Sequence, residues 1–207
     1  MTDTSPIVYI VDDDDEVRES LADLVDSVGL KAETFANAPA FLAAYSPEQV
    51  GCVVLDIRMP GMSGLDLQQE LSERGSTLPI IFISGHGDIP MAVEAMRRGA
   101  VDFIEKPYRD QDLLDRINAA VEVGQKRQSD QAELAVIERR FETLTPRERE
   151  VMELIVQGHA NKVIAIDLGL SQRTVEVHRA RVMEKMEVRS LAQLVRAHAR
   201  LEEARSG

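Results

Sequence analysis

Carboxylates, a hydroxyl and an amine follow the apolar runs of this sequence, and together these groups could carry out phosphoryl chemistry. The segment VYIVDDDDEVRE places four consecutive aspartates, 12–15, directly after the first apolar run. Asp56 lies near the end of a later run, Ser84 follows the next one, and Lys106 follows the last. Because adjacent like charges repel each other, a folded chain needs a reason to keep these aspartates together.

The apolar runs have the length and spacing of strands in a parallel sheet. They are separated by amphipathic stretches such as VRESLADLVDSV, and strands that alternate with helices predict βαβ units with helices on both faces of the sheet. We therefore predict an α/β fold, a doubly wound, flavodoxin-like parallel sheet with the strand order 2-1-3-4-5. The five predicted strands are 7–11, 31–35, 52–57, 79–83 and 101–105.

In such a sheet, ligands bind beyond the carboxyl ends of the strands, where the strand order reverses. Asp12 and Asp13 lie at the carboxyl end of the first strand, and Asp56 lies near the carboxyl end of the neighbouring third strand, so we expect the three carboxylates to converge. Oxygen ligands without histidine or cysteine favour Mg²⁺, which would remove the repulsion. Asp14 and Asp15 are expected to face solvent at the start of the first helix, where the helix dipole favours negative charge.

Ser84 and Lys106 complete the predicted pocket, because each follows another strand of the same sheet. A carboxylate nucleophile, a divalent cation, a hydroxyl and an ammonium group are what phosphorylation of an aspartate requires. We predict that Asp56 attacks a phosphoryl group whose oxygens are neutralised and bonded by Mg²⁺, Lys106 and Ser84. His86, close to this pocket, is expected to be an ordinary loop residue.

The second half of the chain differs from the first in charge and in pattern. The formal net charge is -12, but residues 1–121 carry 22 acidic and 9 basic residues, whereas residues 144–207 carry 9 acidic and 11 basic ones. This asymmetry indicates two domains with different partners. The intervening polar segment, 123–142, is open to two interpretations, a helical linker or a mobile solvated tether.

After residue 143 the pattern is helical, with Thr145, Ser171 and Ser190 as expected helix caps. Two short helices joined by a turn that contains glycine, the second of them basic, form the outline of a helix-turn-helix. The predicted helices are 145–157, 161–168, 171–186 and one that begins at Ser190. The apolar spacing of the last helix suits either a partner surface or packing within its own domain.

Both halves resemble known protein families. The motifs VDDD, LDIRMPGMSG, ISGHGD and FIEKP are similar to those of the receiver domain of two-component response regulators, and residues 144–203 resemble the LuxR-type DNA-binding domain. Together they resemble the FixJ/NarL class, in its FixJ- and StyR-like subgroup. The resemblance implies a receiver domain over 1–122, a helical linker over 123–142 and an all-helical, four-helix DNA-binding domain over 143–207.

The resemblance also implies roles for individual residues. Asp56 would be the phosphoacceptor, and Asp12, Asp13 and the backbone carbonyl of Arg58 would surround Mg²⁺. Ser84 and Phe103 would form a switch pair, in which Ser84 moves to bond the phosphoryl group and the Phe103 ring fills the vacated space. The face formed by the fourth helix, the fifth strand and the fifth helix would then change.

The implied function is transcription regulation without enzymatic turnover of a substrate. A sensor histidine kinase would phosphorylate the chain, and phosphorylation would promote dimerisation and binding to a two-fold promoter site on double-stranded DNA. RNA polymerase is a further expected partner. No apolar stretch approaches the roughly 18 residues of a membrane span, so we expect no membrane partner and a cytoplasmic location.

The recognition helix opens with SQRTVEVHRARVMEKM, in which positions 173, 176, 177, 180 and 181 can share one face. Basic and hydroxyl side chains there are suited to phosphate contacts, and the resemblance places base contacts near Glu176, Val177 and Ala180. Glu176 has an alternative interpretation, as a solvated charge or an ion-pair partner. Buried packing is expected for Val175, Val182 and Met186. The candidate DNA-contacting residues are Lys162, Arg173, Thr174, Glu176, Val177, Arg179, Ala180 and Arg181.

Two other functions remain open from the sequence. A Mg²⁺-dependent phosphohydrolase would also form an aspartyl phosphate, but Arg58 stands where a second aspartate would act as general acid. A DNA-binding protein that works without phosphorylation is the other, and phosphate uptake from a kinase would distinguish it from a regulator.

Overall fold

The chain forms two compact units, Met1–Ser129 and Asp130–Gly207. The computed structural model describes residues 5–85 and 89–206, apart from the side chain of residue 206. The first unit contains a sheet flanked by helices, and the described part of the second unit contains helices without strands. No helix of the described residues is long and apolar enough to cross a membrane.

The sheet of the first unit is parallel and has the strand order β2-β1-β3-β4-β5, which confirms the predicted fold class. The sequence predicted every strand to within one residue. Continuous apolar runs, which are typical of parallel strands buried on both faces, mark the first, third and fourth strands, whereas the second strand lies at the edge of the sheet and is largely exposed. The strands are β1 (Ile7–Val11), β2 (Lys31–Phe35), β3 (Gly51–Asp56), β4 (Ile80–Ser84) and β5 (Asp102–Glu105).

Helices cover both faces of the sheet, because alternate strand residues point to opposite sides. Val11, Leu55 and Phe82 face one core, which α2, α3 and α4 cover. Ile10 and Val54 face the other core, which α1 and the first part of α5 cover. The helices that lie in this unit are α1 (Asp15–Ser27), α2 (Ala38–Ala44), α3 (Gly64–Glu73) and α4 (Ile89–Arg97), and the long α5 (Asp110–Glu142) begins in it and ends in the second unit.

The second unit contains the four predicted helices, α6 (Pro146–Val156), α7 (Asn161–Asp167), α8 (Gln172–Lys185) and α9 (Leu191–Ser206). The predicted caps are confirmed. Thr145 and Glu148 form a capping box at α6, the Ser171 hydroxyl accepts from the Thr174 N–H at α8, and Ser190 Oγ accepts from the Gln193 N–H at 3.3 Å. Each cap satisfies a helix N–H that has no partner within its helix.

The polar segment between the two halves is helical throughout, because α5 continues to Glu142. Ile137 and Phe141, in its last turns, are buried in the core of the second unit together with Val151 and Leu201. The interpretation as a mobile tether is therefore wrong, and the helical interpretation is confirmed. The domain limits 1–122, 123–142 and 143–207 remain a prediction.

Candidate functional site

Two carboxylates and an ammonium group meet at the carboxyl ends of the strands. β1 and β3 are neighbours, and Asp12 follows the first of them while Asp56 ends the second. The Nζ atom of Lys106, which follows β5, lies 3.1 Å from Asp12 Oδ2 and 3.4 Å from Asp56 Oδ1. The shared ammonium group offsets the repulsion between the two carboxylates, so this part of the predicted pocket is assembled.

Asp12 and Asp13, the first two residues after β1, differ in burial. Asp12 is 3% exposed, and its Oδ1 accepts a hydrogen bond of 2.9 Å from the backbone N–H of Asp14. Asp13 is exposed. Asp14 and Asp15 are exposed as predicted, and the Asp14 side chain caps α1.

Burial raises the pKa of the Asp56 carboxyl group, because desolvation disfavours its charged form. The backbone N–H of Arg58 donates to Asp56 Oδ2 at 2.7 Å and opposes this rise, as does Lys106, whereas the charge of Asp12 adds to it. Burial alone would lower the pKa of Lys106, but its hydrogen bonds with Asp12 and Asp56 and their charges outweigh that effect and raise it. Lys106 therefore remains a cation beside the acidic pair.

Helix α3 begins directly against the end of β3, which fixes the chain around Asp56. The Gly64 N–H donates to the Ile57 carbonyl oxygen at 3.1 Å. A Cβ atom at Gly64 would lie 2.4 Å from the Asp56 carbonyl oxygen, a distance that no side chain could adopt without a shift of the backbone. Ser63 and Asp66 close a capping box at this end of α3. The glycine therefore permits the close approach that shapes the pocket.

Ser84 and Phe103 lie on the same face of the sheet and on neighbouring strands. Phe82 pairs with Phe103 in the register of β4 and β5, and Ser84 is two residues beyond Phe82, which returns its side chain to that face. Ser84 is buried, with Oγ donating to the Gly85 carbonyl oxygen at 3.0 Å. Phe103 is half-buried against the core. His86 lies outside the described residues.

The donor groups of the pocket suit a hard cation, since they are oxygen atoms and two of them belong to buried or half-buried carboxylates. Within residues 5–85 and 89–206, however, no three His, Cys, Asp or Glu side chains are grouped closely enough to hold a metal ion. The expected convergence of three carboxylates around one ion therefore remains a prediction, and Asp13 is exposed in this structure. A metal ion here would need a further oxygen ligand beside the carboxylates of Asp12 and Asp56, such as the Asp13 carboxylate or a backbone carbonyl oxygen.

The predicted recognition helix exposes the predicted face. Within α8 the buried positions are Val175 and Val182, as expected for core residues, and Met186 follows the helix in the same core. Lys162 of α7 is also exposed. The exposed residues of the α8 face are Arg173, Glu176, Val177, Ala180 and Arg181.

Two of the candidate DNA-contacting residues are already bonded within the unit. Thr174 Oγ1 lies 2.7 Å from Ser171 Oγ, so the hydroxyl group is shared with the helix cap. Arg179 is half-buried, and its Nη1 donates to Asn161 Oδ1 of α7 at 3.2 Å. Arg179 therefore connects the two helices of the helix-turn-helix, a contact that the sequence did not reveal.

Comparison with known proteins decides the family. The model of the response regulator receiver domain matches residues 8–118. The model of bacterial regulatory proteins of the luxR family matches residues 142–198. The chain belongs to the response regulator family. The resemblance that the motifs indicated is thereby confirmed.

Relatives of this response regulator align along nearly its whole length. It is 45% identical to the response regulator protein TodT of Pseudomonas putida over 204 residues, which cover 99% of this chain and 90% of TodT. It is 50% identical to the transcriptional regulatory protein FixJ of Azorhizobium caulinodans over 191 residues, or 91% of this chain and 90% of FixJ. A low-resolution structure of the response regulator StyR matches with a TM-score of 0.82 and 46% identity, covering 94% of this chain and 98% of StyR.

A receiver domain joined to a LuxR-type DNA-binding domain implies transcription regulation that depends on phosphorylation. It also implies a sensor kinase and DNA as partners of this response regulator. The pocket at the sheet edge lies in the receiver match, and the exposed face of α8 lies in the luxR match.

Sequence reasoning missed three contributors to the receiver. The sequence did not single out Gly64, because one glycine forms no periodic pattern. The only signal was its position after Ser63, since a serine directly before a helical apolar pattern marks the start of a helix. Gln68 is a buried polar residue in a pattern where glutamine is normally exposed. Arg18 faces back toward the aspartates, and its signal was the spacing of three residues from Asp15, which places both side chains on one side of α1.

Proposed function

We propose that a sensor histidine kinase phosphorylates this response regulator on Asp56, and that the phosphorylated form dimerises and binds promoter DNA. The observation that carries the proposal is the position of the Asp56 carboxylate, which ends β3 with Oδ1 3.4 Å from Lys106 Nζ. A nucleophilic oxygen and a cation for the incoming phosphoryl group lie side by side at the ligand-binding edge of the sheet.

The transfer requires the anionic form of Asp56. A carboxylate oxygen forms a bond to the phosphorus atom of a phosphohistidine as the P–N bond breaks and the imidazole leaves. The Arg58 N–H and the Lys106 ammonium group favour the anion, while burial strengthens their effect on the developing charge. Lys106 and the Ser84 hydroxyl then bond the oxygens of the aspartyl phosphate.

Mg²⁺ is proposed as the cofactor of this transfer, because the donors of the pocket are oxygens that suit a hard cation. Asp12, Asp13, Asp56 and the backbone carbonyl of Arg58 would hold it. When bound, Mg²⁺ neutralises the carboxylates and the phosphoryl oxygens.

The proposed switch passes from the pocket to α4. Ser84 moves toward the phosphoryl group, and the Phe103 ring turns into the space that the hydroxyl leaves. Moving a switch from mostly off to mostly on takes about 5.5 kcal/mol of differential interaction. Charge-assisted hydrogen bonds from Lys106 and Ser84, at roughly 1.5–3 kcal/mol each, are of that order.

The proposed dimer forms between receiver domains through α4. Ile89, Val93 and Met96 share one side of this helix at a spacing of four and three residues, and they are 76%, 55% and 46% exposed. Large apolar side chains that remain exposed together mark an interaction surface. A second copy of the chain that presents the same face would bury them by two-fold symmetry.

Dimerisation would supply the DNA affinity that one copy lacks, because the second half of the chain carries only a small excess of positive charge. Phosphate contacts are proposed for Lys162, Arg173, Arg179 and Arg181, with Thr174 adding a hydroxyl. Base contacts are proposed near Glu176, Val177 and Ala180, on the α8 face that would enter the major groove.

RNA polymerase is proposed as a further partner, which would respond to the regulator bound at the promoter. The proposed location is the cytoplasm, where bacterial DNA lies. We assign no enzymatic turnover to the chain, because Arg58 replaces the acid that a phosphohydrolase of this type would need.

The test compares the wild type with Asp56→Asn. Radiolabelled acetyl phosphate with Mg²⁺ should label the wild type and leave the variant unlabelled, and only the wild type should then bind its promoter more tightly. The matched control is Asp26→Asn, which removes an exposed carboxylate of α1 and should behave as the wild type. Equal labelling or equal tightening in Asp56→Asn would remove Asp56 from the mechanism.

A further inference from the structure

Arg18 lies in α1 with its guanidinium group turned back over the loop of aspartates. Its Nη1 donates to the backbone carbonyl oxygen of Asp12 at 2.6 Å, and its other terminal nitrogen forms an ion pair with Asp15. The Arg18 side chain is 12% exposed, whereas that of Asp15 is 82% exposed. A single guanidinium group therefore contacts both ends of the loop that carries residues 12–15.

The carbonyl that Arg18 contacts belongs to the peptide between Asp12 and Asp13, and the orientation of this peptide affects how the two carboxylates are placed relative to each other. The peptide lies just past the last residue of β1. The remaining groups of Asp12 are also held, because its N–H donates to the Phe35 carbonyl oxygen at 3.3 Å and its Oδ1 accepts from the Asp14 N–H at 2.9 Å. Arg18 supplies a charged donor on the side of the peptide that faces α1.

We infer that Arg18 is a positioning residue for the phosphorylation site, which holds the Asp12–Asp13 peptide in the orientation that lets the pocket bind Mg²⁺. This inference rests on the proposed function, since it assumes a Mg²⁺-dependent phosphoacceptor site. Arg18 acts through the backbone of Asp12 and does not itself contact the reacting atoms.

The positive charge of Arg18 would have the opposite effect on a cation, because a guanidinium group near a metal site repels the ion. Solvent and dissolved ions screen that charge, and the ion pair with the exposed Asp15 offsets only a small part of it. Removal of Arg18 therefore weakens Mg²⁺ binding if positioning dominates and strengthens it if charge dominates. The two effects differ in sign, so a single measurement separates them.

The experiment is titration calorimetry of the full-length chain with Mg²⁺ alone. Arg18→Met keeps the aliphatic stem but loses the donor, and groups that orient metal ligands typically contribute about tenfold or more to affinity. We expect Arg18→Met to bind Mg²⁺ about tenfold more weakly than the wild type, and Arg18→Lys to recover part of the loss. The matched control, Asp15→Asn, breaks the ion pair without removing the donor and should stay within about twofold of the wild type.

A second measurement separates positioning from a general structural role. In phosphorylation by acetyl phosphate, Arg18→Met should need about tenfold more Mg²⁺ for half-maximal rate, while its rate at saturating Mg²⁺ stays near that of the wild type. Unchanged or tighter Mg²⁺ binding in a folded Arg18→Met protein overturns the inference. Failure of the wild type to bind Mg²⁺ would overturn the proposed function, and this inference with it.

Discussion

The buried side-chain amide of Gln68 in α3 donates a hydrogen bond of 3.0 Å to the backbone carbonyl oxygen of Ala95 in α4. One end of α3 rests on the strand that carries Asp56, through the Gly64 N–H and the Ile57 carbonyl oxygen. The helix at the other end of this contact, α4, carries the exposed apolar face of the proposed dimer. Gln68 thus links an element that adjoins the pocket to the element that would present the interface.

We predict that Gln68→Met loosens α4 with little change in global stability. The lost hydrogen bond is worth about 1 kcal/mol, and Ala95 O keeps its bond from the Ala100 N–H. No described residue bonds the buried Oε1 atom of Gln68, so its removal offsets a burial cost of about 1–3 kcal/mol. Denaturant unfolding should change by less than about 1 kcal/mol, while hydrogen exchange in the last turn of α4 accelerates.

The control for this experiment is Gln69→Met, because Gln69 is exposed on the same helix and bonds only Glu73 among the described side chains. It should leave exchange in α4 unchanged. A Gln68→Met protein in which α4 exchanges as slowly as in the wild type would show that the amide does not hold the helix.

Acid should destabilise the second unit through Glu148. This carboxylate is 2% exposed, and burial alone would raise its pKa, but hydrogen bonds from Lys185 and Thr145 outweigh that effect and lower it. The pKa of Glu148 is lower in the folded protein than in the unfolded chain, where it is near the ordinary value of 4.5. Ionised Glu148 therefore stabilises the fold above that pH, and this stabilisation is lost as the pH falls through the pKa of the folded protein. We predict that Glu148→Gln lowers the free energy of unfolding at pH 7 and flattens its decline in acid.

Denaturant unfolding at pH 7 and at about pH 3.5, chosen to lie below the usual glutamate pKa, measures this dependence. The matched control is Glu150→Gln, whose carboxylate is half-exposed and paired with Arg147 on the surface. Surface pairs contribute about 0–1 kcal/mol, so that variant should follow the wild type at both pH values. Identical pH profiles for Glu148→Gln and the wild type would contradict the prediction.

The sequence predicted the sheet and the pocket because both depend on short-range signals. Continuous apolar runs mark the central parallel strands, and the strand order then brings Asp12 and Asp56 together without any knowledge of side-chain packing. The burial of Asp12 beside an exposed Asp13 could not be predicted in this way, since the Asp12 N–H bonds the Phe35 carbonyl oxygen and the Asp12 carbonyl oxygen bonds Arg18, two residues that are distant in sequence from each other. The roles of Gln68 and Arg179 were hidden for the same reason, because each bonds a residue on another helix.

The C-terminal part of α5 should be required for the stability of the second unit. Phe141 is nearly buried between the guanidinium groups of Arg149 and Arg205, whose central carbons lie 4.8 Å and 5.0 Å from the ring centroid. Ile137 shares the same core. We predict that Phe141→Ala costs about 3–5 kcal/mol in the unfolding of this unit.

A pair of fragments tests the same point. Residues 130–207 should unfold cooperatively, whereas residues 143–207, which lack Ile137 and Phe141, should be partly unfolded at room temperature. Circular dichroism during thermal unfolding distinguishes the two. Equal stability of the fragments would place the start of the DNA-binding domain at 143, as the sequence predicted.

The two arginines of α8 should contribute to DNA binding in different ways. Arg181 is exposed, so Arg181→Ala should weaken binding to all sequences alike and reduce the salt dependence, the slope of log affinity against log salt, by about one. Arg179 is bonded to Asn161, so Arg179→Ala should also lower the stability of the unit by about 1 kcal/mol. Asn161→Ala removes the same hydrogen bond and should reproduce the stability loss without the full change in salt dependence. DNA titrations at several salt concentrations, paired with denaturant unfolding, separate these effects. If Arg181→Ala loses as much stability as Arg179→Ala, the hydrogen bond to Asn161 is not what distinguishes the two arginines.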